Sequence, residues 1–191
     1  MMLKDLILRN RSVRRFYQDV PIKRETLCQL IDLARLSASS ANLQPLKYVI
    51  SFDSETNELI FPHLDWAGYL KDWPGPSQGE RPAAYIVILG DTNIQKSVDC
   101  DHGIAAQSIL LGATERGFGG CIIGGINKAS LLENLDIPTQ YQILLVIALG
   151  KPNEDVVLES LGADGDIKYW RDEDNKHHVP KRKLEEIIIK R

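Results

Sequence analysis

Apolar positions fall into helical and strand-like runs that alternate along the chain. Leu3, Leu6 and Ile7 recur at helical spacing and predict a short first helix. Residues 11–21 read as an irregular connector. Leu27, Leu30, Ile31 and Ala34 mark one face of a second helix over 24–36, with Pro21 ahead of it as a start signal. The small polar run from Ser37 to Asn42, followed by Pro45, predicts a loop. Tyr48 to Phe52 reads as a strand, and Ala84 to Leu89 as a buried one. Between these strands, residues 61–82 interleave Trp66, Tyr69 and Trp73 with prolines and glycines. Aromatic side chains in such a loop need a surface to cover, which leaves two readings: a flap packed on the core, or a lid over a flat ligand.

The most apolar helix candidate spans 101–116, with Ile104, Ile109, Leu110 and Leu111 among its apolar positions. Its wide apolar arc predicts burial on two sides. Ala105, Ala106, Gly112 and Ala113 would let another helix come close, and Gly117 ends it. Gly119 to Gly125 is a glycine-flanked apolar segment, and Leu131 to Leu135 predicts a short helix. Tyr141 to Leu149 is the strongest central strand. Residues 151–180 read as polar and irregular, apart from a possible strand at Ile167–Trp170. Residues 184–189 fit helix or strand. Helices and strands mix without a strict βαβ repeat. That predicts an α+β (or α/β) three-layer fold, one sheet between helices, in a single domain over 1–191.

Hydrophobic residues make up 43% of the 191-residue chain and the formal charge is only −3, which excludes disorder as the main state and allows one sizeable core. The charge is uneven. Residues 1–15 set Lys4, Arg9, Arg11, Arg14 and Arg15 against Asp5 alone. Residues 181–191 set five cations against Glu185 and Glu186. An acidic chain with two basic ends is poorly suited to broad nucleic-acid binding and better suited to one small anion where the ends converge. The alternative is that both clusters are solvated surface. Cysteines at 28, 100 and 121 are odd in number and widely spaced, so they make no disulfide framework. Cys100-Asp101-His102 lacks a second cluster to complete a zinc site. No run of about 20 apolar residues and no signal-peptide pattern occurs, so the expectation is a cytoplasmic protein without a membrane span.

Three segments are candidates for chemistry. Arg11-Ser12-Val13-Arg14 puts two guanidinium groups and a hydroxyl within four residues, enough to satisfy several phosphate oxygens. Residues 117–125, GFGGCIIGG, place Ile122 where a dinucleotide fingerprint needs glycine and follow a helix rather than a strand, so the Rossmann reading fails. Glycines there instead let the backbone approach a planar ligand, with N–H groups from Ile123 to Gly125 available, unless the segment is only a tight strand entrance. Val179-Pro180-Lys181-Arg182-Lys183 adds cations: Lys181 and Arg182 could complete an anion site or lie on a solvated turn. Nucleophilic catalysis has little support. GxSxG is absent, and His177 and His178 in a polar tail read as surface residues.

In the same order, these segments resemble the nitroreductase family of FMN-dependent oxidoreductases. The resemblance rests on Arg11-Ser12-Val13-Arg14-Arg15-Phe16, on Ser39-Ser40-Ala41-Asn42-Leu43-Gln44-Pro45, on the buried helix leading into residues 117–124, and on residues 179–187. It implies a central mixed sheet flanked by helices in an intertwined homodimer. Arg11, Ser12 and Arg14 would hold the FMN phosphate and ribityl chain, with Arg182 joining them. Ser39, Ser40 and Asn42 would reach the flavin of the neighbouring subunit, and the backbone at Ile123 and Gly124 would face its ring. The implied reaction is ping-pong hydride transfer from NADH or NADPH through FMN to nitroaromatics, quinones or free flavins, with no side chain acting as acid or base. Reductive dehalogenation or flavin fragmentation on the same fold, or flavin binding without catalysis, are the alternatives. The chain departs from the family's pattern at Asn10, Ala38, Leu46 and Ile122, the last two standing where tryptophans are frequent.

Overall fold

The computed structural model describes residues 2–189; Met1 and two of the C-terminal cations, Lys190 and Arg191, lie outside the described residues. Its centre is β3 (Ala84–Asp91), buried along its whole length as its unbroken apolar run requires. It pairs antiparallel with β2 (Leu46–Ser51) on one side and β5 (Tyr141–Pro152) on the other. Successive strand residues point to opposite faces. Ala84, Ile86 and Ile88 therefore enter one core, and Tyr85, Val87 and Leu89 a second. A bulge interrupts the β3–β5 ladder. Ile88 faces Leu145 but Leu89 faces Ile143, so Leu144 is the extra residue. The bulge reverses the parity of β5: Ile147 packs in the first core, yet the odd-numbered Ile143 packs in the second.

The first core is covered by α2 (Arg24–Arg35), which buries Leu27, Leu30 and Ala34, and by α4 (Asp101–Glu115). The two helices approach closely because Gly112 has no side chain; a Cβ there would press on Leu30 and Leu33. Gly117, at φ +77°, ends α4 in the left-handed conformation that glycine tolerates best. The second core is covered by α3 (Ser54–Ile60), α5 (Lys128–Asn134) and the loop before β3. The sequence pattern did not predict α3, although Asp53 caps it by accepting from the Thr56 N–H at 2.8 Å. In the 61–82 segment Trp66 is buried and meets Trp73 edge-on at 6.5 Å, so the loop is a flap packed on the core.

β4 (Gly119–Ile123) pairs antiparallel with β5. The connector runs along β4: Ser12 bridges Gly120 in parallel, and the Val13 N–H donates to the Gly120 carbonyl at 3.0 Å. After this, β1 (Phe16–Tyr17) pairs with the end of β5. The main ladders are thus antiparallel, with one parallel bridge. α1 (Leu3–Arg9) precedes the connector and buries none of its residues.

The chain beyond residue 152 is more ordered than its polarity suggests. β6 (Val156–Ser160), β7 (Trp170–Arg171) and β8 (His177–Lys181) form a second sheet, with β8 parallel to β6 and antiparallel to β7. The expected strand at 167–170 shrinks to β7. Residues 184–187 form the short helix α6 (Leu184–Ile187), and Ile188 is extended.

Candidate active site

The connector and β8 meet across β4. Arg11, Ser12, Arg14 and Lys181 line one cleft of about 310 Å3, whose remaining walls include Gln107 and Leu110 of α4, Gly120 and Ile122 of β4, and Tyr169, His177 and Val179. Both basic ends contribute, as the charge distribution suggested. Strand alternation decides which β4 residues reach the cleft. Gly120 and Ile122 face it, whereas the side chains of Cys121 and Ile123 belong to the second core. Ile123 is therefore available through its backbone only, and Gly124 is exposed just past the strand. Ile122 stays 42% exposed, an aliphatic wall where the family often has an aromatic one.

Arg14 is fixed at both ends. Its backbone N–H donates to Glu154, which also accepts the Arg15 N–H at 3.2 Å and the Arg171 guanidinium at 3.0 Å. Its Nη1 donates to the Ser12 carbonyl at 3.3 Å and lies 3.3 Å from His177 Nε2. The Tyr169 ring covers the guanidinium, 4.9 Å from centroid to Cζ. Arg11 folds back to donate from Nη2 to the Ile7 carbonyl at 2.6 Å, and its Nε is buried without a partner. Burial lowers its pKa, but an arginine stays charged.

His177 corrects a sequence expectation: it is 1% exposed, not a surface residue. As the first residue of β8 it points inward while His178 points away, since neighbours on a strand face opposite sides. Burial first, then Arg14, Arg171 and His178, lower its pKa to about 4, so it is neutral at physiological pH. Glu154, Tyr169 and His177 were not read as site residues because the polar 151–180 stretch signals only the possible strand at 167–170 and not the rest of its sheet. Cys121 is no nucleophile, as burial pushes its thiol up to about 12.

The remaining candidates lie apart from the cleft within one chain. Ser39 and Ser40 bind the buried Asp101 at the start of α4: the Ser39 hydroxyl donates at 2.5 Å and the Ser40 N–H at 2.9 Å. Ala41, Asn42 and Gln44 have φ values of +48°, +55° and +53°, a strained turn that holds Asn42 exposed. Arg182 is exposed beside Lys181 and does not line the cleft. Another cavity, between α3 and β3, has Arg81 as its one cation, stacked 4.0 Å over Phe61.

A phosphate-bearing flavin fits this cleft. Three cations and a hydroxyl converge on it. Two buried nitrogens of its lining, Arg11 Nε and His177 Nδ1, have no partner. Leu110, Ile122 and Val179 add apolar groups to its wall.

Comparison with known proteins agrees. The Nitroreductase family pattern matches residues 7–151. An NADPH-flavin oxidoreductase of Vibrio harveyi is 30% identical, over 78% of this chain and 65% of that protein. A nitroreductase family protein from Clostridium novyi NT superposes with a TM-score of 0.64 at 25% identity, covering 80% of this chain and 87% of that one. A nitroreductase from Exiguobacterium sibiricum 255-15, solved in complex with FMN, gives 0.66 at 19% identity over 80% and 89%. The chain belongs to the nitroreductase family.

Proposed function

We propose that this chain binds FMN in the cleft between residues 11–14 and β8 and carries hydride from NADH or NADPH to a small oxidised acceptor. Bound there, FMN would supply the two-electron hydride-transfer chemistry between nicotinamide and acceptor. The chain's own residues bind, orient and exclude. Arg11, Arg14 and Lys181 neutralise the phosphate dianion, and the Ser12 hydroxyl adds a donor. Arg182, exposed next to Lys181, would have to turn toward the cleft to join them.

The end of β4 offers the backbone of Ile123 and the exposed Gly124 to the ring edge. Leu110, Ile122 and Val179 keep water from that wall. His177 is neutral there, and no titratable side chain is required as acid or base. Nitroaromatics, quinones and free flavins are the acceptors this open, aliphatic wall suits.

Ser39, Ser40 and Asn42 complete the site from a second copy of the chain. Their loop is strained and exposed. Apolar side chains of α1 (Leu3, Ile7, Leu8) and of the C-terminal segment (Leu184, Ile187, Ile188, Ile189) are also exposed, a surface a homodimer would bury.

The observation that carries this reading is the convergence of both basic ends, with unpartnered buried nitrogens, on one apolar-walled cleft. Arg14→Ala tests it. The variant should lose its flavin on gel filtration while the parent stays yellow; full retention would refute the site assignment.

A further inference from the structure

We propose that His177 is a positioning residue for the phosphate site: as a neutral acceptor it occupies one corner of the Arg14 guanidinium and turns the other edge toward the cofactor. The proposal rests on the reading of Arg14 as the phosphate ligand. A guanidinium has five donors in a rigid fork and binds a phosphate best through two parallel N–H groups. Here Nη1 is used by the Ser12 carbonyl and His177 Nε2. Nε and Nη2 have no hydrogen-bond partner among the described residues. The bidentate Nε/Nη2 edge is thus left for an anion, and a rotation of the side chain that would misdirect it breaks both Nη1 bonds.

The imidazole geometry supports this role over plain packing. Arginine only donates, so Nε2 must accept and the ring proton sits on Nδ1. That Nδ1–H is buried with no partner. An apolar ring would fill the same space without that cost. The ring is also well fixed. The His177 N–H donates to the Asp155 carbonyl at 2.8 Å, and Tyr169 packs against the imidazole at 5.1 Å. A protonated His177 would face Arg14 and Arg171 as a third cation and could not accept. Its pKa, lowered to about 4, keeps it in the accepting form.

The test compares two replacements by equilibrium binding of FMN and of riboflavin, which lacks the phosphate, to the full-length chain stripped of flavin. His177→Gln places an acceptor near the Nε2 position; His177→Phe keeps the ring and removes the acceptor. FMN affinity should fall about tenfold in the Phe variant and stay within about threefold of the parent in the Gln variant. Riboflavin affinity should be unchanged in both. A packing role predicts the reverse order, with Phe tolerated better than Gln, and that order would overturn the proposal. Equal losses for FMN and riboflavin would also overturn it, because the defect would then lie in the fold rather than at the phosphate. Arg14→Ala separates the two layers. If it weakens FMN alone while His177→Phe has no effect, only the role of His177 falls. If it leaves FMN binding intact, the phosphate assignment falls and the proposal with it.

Discussion

Glu154 holds three donors together at the junction between the family-matched region and the C-terminal sheet. Its side chain is 1% exposed, and the Arg171 side chain it pairs with is 13% exposed. Removing one partner of a buried pair leaves the other charge desolvated, which costs more than the pair itself contributes. Glu154→Gln should therefore destabilise the chain by about 2 kcal/mol or more in urea unfolding and weaken FMN binding, because the connector carrying Arg14 loses its anchor. An unchanged midpoint would remove Glu154 from this role. Gly120→Ala should cost about 2–3 kcal/mol in the same assay, since a Cβ there meets the Ala148 carbonyl across the ladder. At this scale the sequence was informative where chemistry is concentrated. Arg11, Ser12 and Arg14 stood out because two guanidinium groups and a hydroxyl within four residues can satisfy several phosphate oxygens, and all three line the one cleft. Glu154, Tyr169 and His177 did not, because each is an ordinary residue whose role depends on a distant strand. The paired histidines contained a usable hint: on a strand, one of two neighbours must face inward.

Among the elements, β3, β5, α2 and α4 follow from the hydrophobic pattern because their apolar side chains build the two cores. The C-terminal sheet escaped it because polar contacts tie it together. His178 lies between Glu159 and Asp172 and stacks on Trp170 with ring centroids 4.2 Å apart. Its pKa is raised, first by the hydrogen bond to Asp172 and then by that to Glu159. A raised histidine gives its full stabilisation below its unfolded value, about 6.5, and loses it as the pH rises through the folded value. His177 has the opposite sign. Lowered to about 4, it leaves the fold undisturbed above about 6.5 and destabilises it increasingly as the pH falls toward 4. Local opening of β7 and β8, followed by amide exchange corrected for intrinsic rates, should therefore be slowest slightly below neutral pH. His178→Gln should remove the alkaline limb and keep the acid one. A parent profile that varies in one direction only would contradict this assignment of the two histidines.

For the whole molecule, the cleft proposed for the phosphate is lined within one chain, and Ser39, Ser40 and Asn42 lie outside it. The exposed apolar faces of α1 and the C-terminal segment give a physical reason for a second copy. The chain should sediment at twice 21.5 kDa. Ile7→Asp combined with Ile188→Asp should halve that mass and weaken FMN binding about tenfold or more, because the partner's loop is lost with the interface. A monomeric parent that binds FMN tightly would refute the shared site.

The most direct measurement is the absorbance spectrum of the purified protein, taken anaerobically before and after NADH and then NADPH. The account predicts a flavin spectrum that bleaches with at least one donor and returns when a quinone or nitroaromatic is added. A colourless protein that takes up no added FMN, or a bound flavin that neither nicotinamide bleaches, would contradict it.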